Sequence, residues 1–199
     1  MPKRITLLRR RDDRTPAQFG DYWSTTHAVI AKDLPRVTRY LQNHVVGGAE
    51  GGVDGVVELW FADDDAATAG FRSDVADRLV ADEPNFLSGL TGCAYDADGP
   101  HAEWPWKVWL LGAGDPVAAS AWAASLDEPE SLGVTVDRRD PGASLLLRER
   151  LARIDTLPEV AASIGFATQA AAEAFASTGA VPTRFVLAQT LIAREVRIV

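Results

Sequence analysis

A single cysteine, Cys93, excludes an internal disulfide and a zinc site built on thiolates. Basic residues are outnumbered, 20 Lys and Arg against 28 Asp and Glu, for a net charge of −8. That balance argues against a general nucleic-acid binder and against docking on an anionic membrane. Long apolar runs are missing as well. No stretch approaches the ~20 residues that cross a bilayer, and the apolar run after MPKR is only ITLL, too short for the core of a secretory signal. A cytoplasmic protein is the expectation. No Gly-x-Ser-x-Gly nucleophile motif occurs. GGAEGG (47–52) leads to a strand rather than a helix N-terminus, so it reads as a hairpin loop and not a phosphate cradle. Histidine is scarce, with His27, His44 and His101 and none afterwards.

What is present is a regular order of short elements. KRITLLRR (3–10) reads as a strand. TPAQFGDYW opens a helix with Thr15 as N-cap and Pro16 at the first helical position. The helix ends at Leu34-Pro35, because a residue before proline avoids the helical region. VTRYLQNHVV (37–46) and DGVVELWF (54–61) are strands. Asp63 to Ala81 reads as a second helix with Phe71, Val75 and Leu79 on one face, and LTGCAYDA (90–97) closes a fourth strand. The order is β-α-β-β-α-β, the split unit of ferredoxin-like folds.

DGPHAEWP (98–105) reads as a linker containing His101, and a similar order then returns. WKVWLLGA (106–113), ASLLLRERL (143–151), PEVAASIGF (158–166) and the chain end (186–199) read as strands. DPVAASAWAASL (115–126) and TQAAAEAFAS (168–177) read as helices. Residues 127–142 show no clear pattern. DGVVELWFADDDAATAGFRSD sits beside PEVAASIGFATQAAAEAFAST, both running from an apolar strand through Phe-Ala into an Ala-rich helix. This reads as a diverged tandem duplication. Domains are expected at 1–100 and 101–199. Each four-stranded sheet has a bare face to cover, so the predicted α+β architecture is two ferredoxin-like units packed sheet to sheet as an intrachain dimeric α+β barrel.

The opening strand RITLLRRR, the helix FGDYWSTTHAVIA, the strand RYLQNHVV, DGVVELWF and the acidic ADEPNFL together resemble the EthD family of dimeric α+β barrel proteins. The resemblance covers residues 3 to about 97. The second half resembles a degenerate copy without these polar signatures. The resemblance implies a ligand pocket between helices and sheet, and a protein that works without a cofactor. It also implies relatives such as polyketide cyclases, dehydratases and lactone isomerases.

The opening helix places Phe19, Trp23, Ile30, Leu34 and His27 within an arc of about 80°, with His27 at one edge. His27 is therefore either a hydrogen-bonded core residue or a pocket acid–base group. Alternation along RYLQNHVV puts Tyr40, Gln42 and His44 on one face, and Arg39, Leu41, Asn43 and Val45 on the other. Glu58 shares a face with Val56 and Trp60; it either orients an imidazole or pairs with Arg39 or Arg10. Trp23, Trp60 and Phe86 are candidate aromatic walls, or plain core.

The leading expectation is a cofactor-independent cyclase, dehydratase or isomerase acting on a small apolar oxygenated substrate, such as an aromatic polyketide or a lactone. His27 would transfer a proton, and Asn43 or His44 would polarise a substrate oxygen. Tyr40, Gln42, Trp23, Glu58, Trp60 and Phe86 would bind substrate. A non-catalytic binding or accessory protein with the same pocket is the alternative, and an oxidoreductase of the same superfamily ranks after it. A metal site of His27, His44 and Glu58 has no local ligand spacing behind it, and no metal is expected. The expected partner is a small apolar organic ligand, and a homodimer is a possible assembly. Neither nucleic acid nor membrane is expected.

Overall fold

The computed structural model describes residues 2–47, 52–70, 72–98, 103–182 and 184–199. Eight antiparallel strands close into one barrel in the order β1-β3-β2-β8-β5-β7-β6-β4. The first half supplies β1 (Lys3–Arg10), β2 (Val37–Val45), β3 (Gly55–Phe61) and β4 (Leu87–Asp98). The second supplies β5 (Trp106–Gly114), β6 (Ser131–Arg139), β7 (Val160–Phe166) and β8 (Phe185–Arg197). Within each half the spatial order is fourth, first, third, second. The halves meet at two seams, β2 against β8 and β4 against β6, so neither sheet is left with a free edge there. The expected boundary near residue 100, and His101 with it, lies outside the described residues.

Three apolar layers result. Ile5, Leu7, Val56, Trp109, Leu111 and Leu191 fill the barrel. Helices pack on the outer face of each half, over Phe19, Trp23, Leu59 and Phe86 in the first and over Leu110, Ala162, Phe166 and Phe175 in the second.

The opening helix starts as predicted. Thr15 Oγ1 accepts from the Gln18 amide at 3.2 Å, and Gln18 Oε1 accepts from the Thr15 amide at 2.9 Å, a full capping box. The helix has three parts: α1 (Pro16–Tyr22), a π-helical turn (Trp23–His27) and α2 (Ala28–Ala31). A π turn rotates less per residue than an α turn. It therefore carries His27 from the edge of the apolar arc toward its centre, and His27 is buried.

Three expectations are corrected. The second helix is broken into α3 (Asp64–Gly70) and α4 (Asp74–Asp82), because Ser73 Oγ caps a new helix at the Ala76 amide, 3.3 Å away. Phe71 lies outside the described residues. The strand missing from residues 127–142 is β6, with a register shift at Gly133, whose φ is 151°. ASLLLRERL is not a strand of the sheet. Residues 143–154 form a strap along β4, touching it by isolated bridges at Gly92–Leu146 and Gly89–Ala152. The second-half helices are α5 (Pro116–Ser125), capped by Asp115, and α6 (Gln169–Ser177), capped by Thr168.

Candidate functional site

The helix side of the first half encloses a cavity of about 60 Å³. Its polar lining comes from His27, Tyr40 of β2, Thr6 of β1, Glu83 after α4, and Arg148 of the strap, among leucines and Val57. His27 Nδ1 lies 2.9 Å from Asp82 Oδ2. Asp82 also accepts from the Tyr22 hydroxyl at 2.6 Å and from Asn85 Nδ2 at 3.2 Å. Burial opposes the charge on Asp82, but the bonds from His27, Tyr22 and Asn85 outweigh it and hold the carboxyl below its usual range. An ionised Asp82 can only accept, so Nδ1 carries the proton. In the neutral imidazole, Nε2 is then the basic nitrogen, and it has no hydrogen-bond partner among the described residues.

Tyr40 is the second polar group with a free end. Its hydroxyl oxygen accepts from Trp23 Nε1 at 3.1 Å and from Gln42 Nε2 at 2.8 Å. Gln42 Nε2 also donates to the Trp23 carbonyl at 2.9 Å, inside the π turn. With two donors on its oxygen, the Tyr40 proton is left to point elsewhere, and its ring lines the cavity. Burial pushes the phenol up to about 12 despite these two bonds, so the group stays a donor at neutral pH.

The strap forms one wall. Arg148 makes a two-point ion pair with Glu83, Nε to Oε2 at 2.5 Å and Nη2 to Oε1 at 3.0 Å. Leu146 is tied to Gly92 by two backbone bonds, and Ala152 donates to the Ser88 carbonyl at 2.9 Å.

The structure divides the sequence candidates among three places. His27, Tyr40, Trp23 and Phe86 gather on the helix side, where Phe86 packs 4.8 Å from the His27 ring. His44 and Gln42 share that face, but His44 lies beyond Trp23, its ring centroid 4.6 Å from the indole, and opens on a separate groove. Its Nε2 meets Gln42 Oε1 at 3.0 Å, and burial, followed by the charge of Arg194, lowers it to about 4. Asn43, Glu58 and Trp60 point into the barrel. Neither expectation for Glu58 fits: it pairs with Lys107 at 2.5 Å and Lys3 at 2.9 Å, not with an imidazole, Arg39 or Arg10. Those two ammonium groups outweigh burial and keep its carboxyl well below the usual range. Lys3 also meets Asp137 at 2.7 Å, Lys107 meets Glu195 at 2.5 Å, and Asn43 Nδ2 donates to Glu58 at 3.0 Å. Asn43 is thus committed to a buried ion network remote from the His27 cavity. The set His27, His44 and Glu58 does not come together.

The carboxylate that orients His27, Asp82, went unrecognised in the sequence, although it lies in ADEPNFL. Its chain position shows only a helix end. Arg148 carried no signal, because its segment reads as a strand.

A family profile described as EthD domain matches residues 11–89. Residues 11–89 are thus similar to an EthD domain. They contain α1 to α4 and so hold His27, Tyr40 and Asp82, whereas Arg148 reaches the cavity from outside the matched residues. No curated protein matches the sequence significantly. Among solved structures, the chain is similar to an anthrone oxidase-like protein at 9% identity, covering 99% of this chain and 93% of that one, with a TM-score of 0.63. It is also similar to a chlorite dismutase-like protein, at 10% identity, 99% and 95% coverage and a TM-score of 0.59. A third is a protein from Lactobacillus acidophilus named as a monooxygenase, at 12% identity, 100% and 94% coverage and a TM-score of 0.54. At such identities the likeness shows the fold, a dimeric α+β barrel, here closed within one chain. No helix among the described residues is long and apolar enough to cross a membrane.

Proposed function

We propose that the EthD-like domain transfers a proton on a small, mostly apolar, oxygenated substrate without a cofactor, in the manner of a cyclase, dehydratase or isomerase. The observation that supports this most is the His27–Asp82 pair on a cavity that Tyr40 also lines. Nε2 of His27 takes a proton from carbon while Asp82 stabilises the imidazolium. Tyr40 donates to the substrate oxygen on which charge develops. This moves the polarising role from Asn43 or His44 to Tyr40.

The cavity is small, about 60 Å³. An aromatic polyketide or a lactone exceeds that room, so binding requires the strap to give way, starting at the Arg148–Glu83 pair. In this reading residues 1–100 are the site-bearing domain and residues 101–199 the domain that covers it.

Deuterium exchange into carbon acids in D₂O, followed by NMR, tests the proposal. The panel is anthrone, an aromatic β-diketone and an unsaturated lactone. Wild type is expected to accelerate exchange in at least one of them. His27→Gln is expected to lose about 10²–10⁴-fold and Tyr40→Phe about 10²-fold, with both thermal midpoints retained. Undiminished exchange in His27→Gln sinks the proton-transfer role. A wild type that binds a panel member in a thermal-shift assay, yet exchanges none, favours the accessory binding protein.

A further inference from the structure

A groove of about 650 Å³ runs between α1 and the end of β2, on the far side of Trp23 from the His27 cavity. Its polar groups are unequal. Arg10 is paired with Asp54 at 3.0 Å, and Ser24 donates to the Gly20 carbonyl at 2.7 Å. Arg194 stands directly across the β2–β8 seam from His44 and has no ion-pair partner among the described residues. Asp21 sits exposed on the helix at the groove's edge.

The tautomer of His44 follows from its neighbours. Gln42 Nε2 donates to the Trp23 carbonyl and to Tyr40, so its Oε1 is the atom that meets His44. An amide oxygen accepts, hence His44 Nε2 carries the proton and Nδ1 presents a lone pair. Nδ1 has no partner of its own, and it lies where a Cβ on Gly20 would come within 3.0 Å. The missing side chain at Gly20 is therefore what leaves Nδ1 open. Pro16, Ala17, Val46 and Val196 give the groove apolar walls.

We propose that this groove is a second ligand site, for a small aromatic hydroxy acid whose hydroxyl donates to His44 Nδ1 and whose carboxylate meets Arg194. An acceptor nitrogen, an unpaired guanidinium on the neighbouring strand and apolar walls match the three parts of such a molecule. His44 is also the outer end of a hydrogen-bond chain that runs through Gln42 to Tyr40, so an occupant of the groove is linked through Gln42 to a residue that lines the His27 cavity.

Calorimetric titration of the full chain with 4-hydroxybenzoate tests the site, with benzoate and 4-hydroxybenzyl alcohol as analogues lacking one group each. Saturable binding of 4-hydroxybenzoate is expected, with each analogue about tenfold weaker. Arg194→Ala should weaken 4-hydroxybenzoate about tenfold and leave the alcohol unchanged, because only the carboxylate contact is lost. Gly20→Ala should weaken both while keeping the thermal midpoint. Binding in His27→Gln should equal that of wild type, which separates this groove from the proton-transfer reading. The proposal is overturned by the absence of saturable 4-hydroxybenzoate binding, or by binding that Arg194→Ala and Gly20→Ala leave intact.

Discussion

The two halves share a barrel and differ in what lies outside it. Aligning Phe61 with Phe166 places Val56 opposite Ala161, and hence Asn43 opposite Asp137 in the neighbouring strands. Lys3 and Lys107 likewise face Trp60 and Gly165. The inner faces of both halves therefore feed one charged network. The helix layers diverge. The first is built from Phe19, Tyr22, Trp23, His27 and Phe86 and contains a cavity with polar ends. In the second, α5 and α6 bury Ala119, Ala171, Ala172 and Phe175 against Val108, Leu110, Ile164 and Phe166 of the sheet, and the described residues there include no histidine. Small side chains let α5 and α6 sit close on the sheet, which leaves little room for a ligand. The connections diverge as well. The link from β2 to β3 is short, whereas the link from β6 to β7 carries the strap that crosses to the first half. A second half without its own chemistry still completes the first half's cavity.

The barrel network offers the largest test of this likeness. Lys3→Met and Lys107→Met each strand buried carboxylates, and each should cost about 3–5 kcal/mol in urea unfolding. Similar costs support an equivalent role for the two lysines; a near-neutral Lys107→Met would break the comparison.

The strap tests the asymmetry. Arg148→Ala removes the ion pair to Glu83, which is nearly buried, and should cost about 1 kcal/mol. Amide exchange at Leu146 and Ala152 should quicken, while the α5 and α6 amides stay as protected as in wild type. Unchanged exchange at Leu146 would show that the backbone bridges alone hold the strap.

A pH test concerns His44, and the second half carries no histidine in the matching position. Its folded value of about 4 lies below the unfolded 6.5. As pH falls below 6.5 the unfolded chain takes up the proton first, so the stability that His44 contributes is present above 6.5 and is lost as pH falls toward 4. Urea midpoints should drop between pH 7 and pH 5 in wild type, and drop less in His44→Gln. A ring-proton NMR titration centred near 6.5 would refute the buried, neutral imidazole.

Local patterns carried the fold a long way. Thr15, Pro16 and Gln18 announce a helix start through caps that need only neighbouring residues. Period two along RYLQNHVV and DGVVELWF separated the faces correctly, because a strand's pleat is independent of its partners. ASLLLRERL failed for the same reason. An extended apolar segment has the same local appearance whether it joins a sheet or straps across one. The split of Asp63–Ala81 turned on Ser73, whose capping value depends on the chain's path after Gly70.

By itself, then, the sequence determined the element order, the alternation of faces and the presence of His27 on an apolar stripe, all set by interactions within a few residues. Only the tertiary structure decided which groups share a hollow. It placed Asp82 on Nδ1, turned His27 inward through a π turn, and sent Asn43 and Glu58 to Lys3 and Lys107. It also brought Arg148 to a cavity far away in the chain. Each of those outcomes depends on packing between distant segments, where burial and charge pairing act on distances that no local pattern encodes.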